Sequence, residues 1–184
     1  MSKIALSPNA SGTGVFTIAS PNGNTDRTLT LPDEAGTVLT TAGVPASAMP
    51  AGSVIQIVQD QFSDTYSTTS TGGTQFRAVS ITPTSASSKI LVLTSFMCRA
   101  TAGGGNCYIR IQAFRNGTMF WNGYPVVGAQ GTDVRGVASI NYLDSPATTS
   151  AVSYTFNYDS TYASTVYINS NTAPSMITLL EIAQ

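Results

Sequence analysis

Apolar and polar residues alternate with a period of two along most of the chain. No stretch sustains the i, i+3, i+4, i+7 spacing of a helix over three turns. The pattern predicts an all-β protein. Near the front the alternation runs through 14–19 (GVFTIA), 27–31 (RTLTL) and 36–41 (GTVLTT), with turn chemistry at 20–24 (SPNGN) and 31–36 (LPDEAG). From Ser53 it becomes a steady series: 53–59, 74–82, 88–98, 107–114, 118–121, 134–143, 150–158, 164–169 and 175–183. Asn-Gly pairs at 116–117 and 122–123 and the segments 144–150 and 169–174 read as turns. Strands at this spacing predict an antiparallel β-sandwich or barrel.

Two runs depart from simple alternation. In 89–99 Ile90, Val92 and Phe96 share one face and Leu91, Leu93 and Met97 the other; in 176–182 Ile177 and Leu179 oppose Met176, Leu180 and Ile182. Such strands lie inside a sandwich or against another subunit. Segment 42–52 (AGVPASAMPAG) holds Pro45 and Pro50 and no charge, which predicts a linker. The chain therefore divides into a β-hairpin module at 1–41, the linker at 42–52 and a β-sandwich head at 53–184. Three short strands in the front module cannot bury enough area to offset chain entropy alone. Its apolar residues Phe16, Ile18, Leu29, Leu31, Val38 and Leu39 are thus candidate anchors to a partner, to copies of the chain or to the head.

Composition narrows the function. Charged residues are 9% of the 184, against roughly 25% in ordinary soluble chains, and eight basic residues face nine acidic ones. No single-signed field is available for nucleic acid or an anionic membrane, and no run reaches the length of a membrane span. The start MSKIALSPNASG has no apolar core of a signal peptide, so synthesis in a cytosol, followed by assembly, is expected.

Histidine is absent, which removes Ser-His-Asp and Cys-His nucleophilic pairs and most catalytic zinc sites. The glycine-rich TAGGGN at 101–106 precedes no helix-forming segment and is a poor phosphate cradle. No pair of carboxylates is singled out. The chain is expected to be no enzyme, with no cofactor and no metal. Cys98 and Cys107 flank the glycine-rich loop and are read as reduced, buried thiols; a disulfide requires their strands to pair as a hairpin. Arg99, Arg110 and Arg135 lie within or at the ends of strands, with Asp133, Asp144 and Glu181 as available partners if they are buried.

Two aromatic groups stand out. FRNGTMFWNGY (114–124) sets Trp121, Asn122 and Tyr124 together, as a saccharide site needs: rings to stack on C–H faces and amides to meet hydroxyls. The alternative reading makes these aromatics a plug in the end of the sandwich or part of a subunit interface. In 154–167, Tyr158 and Tyr162 flank a turn and join the candidate contacts.

RTLTLPDEAGTVLTT resembles a short TLPDxxGT module near the N-termini of bacteriophage tail-fibre and other virion proteins. ITPTSASSKILVL, YLDSPATTSAVSYTF and SMITLLEI resemble the C-terminal domain of small virion structural proteins of environmental, often marine, tailed phages. The resemblance covers 27–41 and about 53–184. It implies a homotrimer with a jelly-roll or related β-sandwich head, and it supplies no catalytic residue and no defined receptor pocket. The expected role is a virion appendage with its N-terminal module on other virion proteins and its head directed at the host surface, where a host glycan is the ligand that the aromatic loop would suit. A capsid decoration or head-fibre protein with a particle-stabilising role is the alternative, because the chain is short for a tail fibre.

Overall fold

The computed structural model describes residues 10–15, 17, 22–26, 28, 44, 48–101, 107–128, 133–162, 164–170 and 174–184. The anchor candidates Phe16, Ile18, Leu29, Leu31, Val38 and Leu39 lie outside the described residues. By proximity the chain divides into Met1–Val38 and Leu39–Gln184. In the first unit the described residues are turns and irregular backbone with exposed side chains.

The second unit is a β-sandwich of antiparallel strands, with no α-helix among the described residues. The strands are β1 (Val54–Phe62), β2 (Tyr66–Thr68), β3 (Thr74–Ile81), β4 (Lys89–Thr101), β5 (Cys107–Arg115), β6 (Thr118–Gly128), β7 (Asp133–Ala138), β8 (Asn141–Asp144), β9 (Val152–Ser160), β10 (Thr165–Ile168) and β11 (Ser175–Ile182). One sheet has the order β3-β9-β5-β6. The other is built around β4: β11 and β10 pair end to end along one edge of it, β8 and β7 along the other, and β1 and β2 pair β11 and β10. Taking each broken pair as one line gives four lines against four, in the order β1/β2, β10/β11, β4, β7/β8 opposite β3, β9, β5, β6. That is jelly-roll topology.

Alternation places the core. Ile90, Val92, Phe96, Cys98 and Ala100 of β4 face Ile109, Ile111 and Ala113 of β5 and Tyr154, Phe156 and Tyr158 of β9 across the sandwich, all buried. Phe96 sits edge-on to both Phe76 (5.0 Å) and Phe156 (5.3 Å), a geometry that suits the ring quadrupoles. Cys98 and Cys107 are buried and free, and their strands do not pair: β4 and β5 belong to opposite sheets. Burial pushes the Cys98 thiol up to about 12, so it stays protonated at neutral pH.

Each buried carboxylate has partners. Asp144 accepts from Arg115 Nη1 (2.7 Å) in the opposite sheet and from the Tyr154 hydroxyl (2.7 Å), tying the two sheets at one end. Glu181 accepts from Gln56 Nε2, the Thr84 amide and the Thr84 hydroxyl, at 2.6–2.8 Å. Of the partners expected for the arginines, Asp133 meets Arg99; Asp144 takes Arg115 and Glu181 takes neutral donors. At the sandwich edge, Asp60 of β1 pairs with Arg77 of β3.

Two sequence expectations change. Asn122-Gly123 is not a turn: both lie inside β6, opposite Gln112 and Ile111. The hairpin is closed instead by Asn116-Gly117, both with positive φ (46° and 83°), as a two-residue type I′ loop demands. The predicted strand 134–143 is two, β7 and β8, broken where the Ile140 amide donates to the Thr94 hydroxyl and the Ile140 carbonyl accepts from the Thr94 amide, both at 3.0 Å.

Candidate functional site

The outer face of the four-stranded sheet carries the polar side chains that alternate with its core residues. Four amides lie in one row across the four strands: Gln75 opposite Asn157, Asn157 opposite Gln112, Gln112 opposite Asn122. Two residues along β5, Arg110 stands opposite Asp159 of β9. The guanidinium donates from Nε to both Asp159 oxygens (3.0 and 2.9 Å) and from Nη2 to Oδ2, and Nη2 also meets the Thr71 carbonyl at 3.3 Å. Asp159 is 1% exposed, so the pair is a fixed base rather than a loose surface contact. The Asp159 hydrogen bond holds the Arg110 guanidinium above its ordinary value against the opposing effect of burial, and the Tyr124 hydroxyl beside it adds a smaller contribution.

Beyond this base, about 14 Å from the amide row by strand rise, Tyr108, Tyr124, Thr161 and Tyr162 line an open cleft of about 290 Å³. Tyr108 and Tyr162 rings lie 5.6 Å apart at 46°. The Thr161 amide and hydroxyl both donate to the Tyr108 carbonyl (3.2 and 3.1 Å), which fixes the turn that carries Tyr162 onto β5. Tyr124 and Tyr162 are 52% and 63% exposed, so two ring faces are open to solvent.

The candidates from sequence separate on this geometry. Tyr124 and Tyr162, from motifs nearly forty positions apart, come together in the cleft. Asn122 joins the amide row and is exposed. Tyr158 is not a surface residue: it is 1% exposed, edge-on to Phe76 at 5.4 Å, because the β9 alternation that buries Tyr154 and Phe156 buries it too. Trp121 is half-buried and packs on the core, its ring filling the space above Gly123, where a Cβ would lie 2.6 Å from the indole. Phe120 stacks on Tyr142 at 4.7 Å. Both rings are partly buried against the core, whereas the Tyr124 ring is open. Sequence reasoning missed Tyr108, Arg110 with Asp159, and Thr161. The alternation in CYIRIQ puts Tyr108 and Arg110 opposite the buried Ile109 and Ile111, so their outward direction was readable; the neighbour β9 was not.

No family model and no curated protein matches the chain. Solved structures overlap it at low identity. The structure of infectious bursal disease virus Gt strain matches at 10% identity and TM-score 0.39, over 72% of this chain and 39% of that one. The infectious bursal disease virus VP2 subviral particle matches at 10% identity and TM-score 0.40, over 72% and 38%. Dimeric latent PorU from Porphyromonas gingivalis matches at 14% identity and TM-score 0.32, over 76% and 14%. The chain thus spans less than two fifths of the viral chains it overlaps, and the topology described above rests on strand pairing alone.

Among the described residues no three His, Cys, Asp or Glu side chains form a metal-sized group. None of their helices is long and apolar enough to cross a membrane. What the cleft offers is aromatic faces and phenolic and threonine hydroxyls, with the Arg110–Asp159 pair beside Tyr124.

Proposed function

We propose that the chain is a virion appendage subunit, a short phage tail fibre held by its N-terminal module and presenting the jelly-roll head to a host-surface glycan. The observation that carries the reading is the tyrosine cleft on its Arg110–Asp159 base. Because Asp159 already neutralises Arg110, the cleft has no net charge to offer an anionic ligand. Its rings stack on C–H faces and its hydroxyls exchange hydrogen bonds, the chemistry that suits a neutral saccharide. The reading includes no catalysis: Asp144, Asp159 and Glu181 are buried and already hydrogen-bonded. The motifs at 27–41 and in the head support the virion assignment and a trimer.

The test is binding of the full chain to immobilised neutral oligosaccharides, with Tyr162→Ala and Trp121→Ala compared. Tyr162→Ala should lower affinity at least about tenfold with unfolding free energy unchanged within about 0.5 kcal/mol, whereas Trp121→Ala should destabilise by about 1–3 kcal/mol. Wild-type chain that binds no saccharide, or a Tyr162→Ala variant that binds as wild type, overturns the cleft assignment.

A further inference from the structure

The outward side of the β4-centred sheet is apolar where a monomer's would be polar. Ile57 of β1 stands opposite Leu180 of β11, Leu180 opposite Leu91 of β4, and Leu91 opposite Leu143 of β8. These four side chains form an unbroken apolar row across four strands. Ile57 is 61% exposed and Leu143 50%, so the row is open at both ends. On one side Val54 and Ile182 extend it; on the other Leu93 shares a row with the polar Gln59, Thr178 and Asn141 and Met176 lies between Gln61 and Ser95, before Met97 and Val137 add further apolar surface. Among the described residues charge appears at the rims: Lys89 beyond one end, and Arg99, Asp133 and Arg135 beyond the other.

We infer that this face packs against the same face of other copies of the chain. Two physical points select that occupant. The first is area. Four strands at ~4.8 Å by eight residue steps at ~3.4 Å give about 500 Å² in plan on each copy. Two such faces together reach the ~1,000 Å² that a specific interface needs. The second is charge. A face with no charge inside its rims meets its own copy without repulsion, and it offers a different protein no ionic pattern to recognise. The packing also leaves the tyrosine cleft, on the opposite sheet, directed away from the contact, so every copy presents its own. The inference rests on the reading of the chain as an assembly subunit, but not on its ligand.

The experiment is sedimentation of the full chain at micromolar concentration, wild type against Ile57→Lys and Leu143→Lys, which charge opposite edges of the row at exposed positions. Wild type should be oligomeric. Either variant should raise the dissociation constant at least about tenfold with its far-ultraviolet circular dichroism retained, and Tyr162→Lys on the other sheet should leave the oligomer intact. A monomeric wild type, variants that stay folded and oligomeric, or a Tyr162→Lys variant that dissociates overturns the inference. Saccharide binding measured on the same samples separates this failure from failure of the cleft.

Discussion

Glu181 shows how one buried residue couples the fold to pH. It lies inside the sandwich with no solvent exposure. Burial alone pulls its carboxyl up, but the donors from Gln56 and Thr84 outweigh it and leave the group below its ordinary value. Asp60 is lowered as well, chiefly by the Arg77 hydrogen bond. A carboxyl depressed in the folded state binds its proton more readily when unfolded. Its stabilisation is therefore present above the unfolded value, near pH 4, and is lost as pH falls through the folded value. The melting temperature should drop steeply below about pH 4. Glu181→Gln should lose about 1–3 kcal/mol at neutral pH, because its amide donor then faces that of Gln56, and should flatten the acid limb. Melting curves from pH 2 to 7 on both proteins check this; parallel acid limbs would show that Glu181 does not control it.

At the level of elements, the β5–β6 hairpin is set by Asn116-Gly117. Gly117 has φ near 83° with open space where a Cβ would sit, so Gly117→Ala meets backbone strain without a clash. It should cost about 1 kcal/mol in denaturant unfolding; a neutral result would mean the loop relaxes to another turn. Most strands were legible because a sheet with one face in a core writes its period directly into the chain. The exceptions have physical causes. Asn122-Gly123 carries the residues of a tight turn, yet Gly123 serves as the clearance for the Trp121 ring, a packing role that only the folded neighbour reveals. β2 is three residues long, too short for any periodic signal. The cleft was half legible: Tyr124 and Tyr162 were named, but Tyr108 and the Arg110–Asp159 base depend on β5 lying beside β9, a pairing between residues about fifty positions apart. Tyr158 was misplaced because an aromatic at a strand end looks alike in sequence whether the strand stops there or, as here, continues to Ser160.

Across the whole molecule, the sandwich closes on the segment that leads into it. The Gly52 amide donates to the Ala183 carbonyl and the Ala183 amide to Ser53, both at 2.9 Å, so the sandwich takes hold of the chain at its entry point. A chain starting at Ala48 should keep the circular dichroism and melting behaviour of the full-length head; an unfolded product would mean that the front residues are part of its core. The same clamp has a mechanical meaning. Tension entering through Pro50 runs along β1, and β1 is held side by side to β11 from Val54–Ile182 to Phe62–Ser175. The hydrogen bonds of that ladder lie across the pull and share the load, whereas a hairpin opened from its end would yield one bond at a time. A sandwich pulled along β1 would thereby be loaded in shear, and the force would pass from β11 into β4, the unbroken middle strand of its sheet.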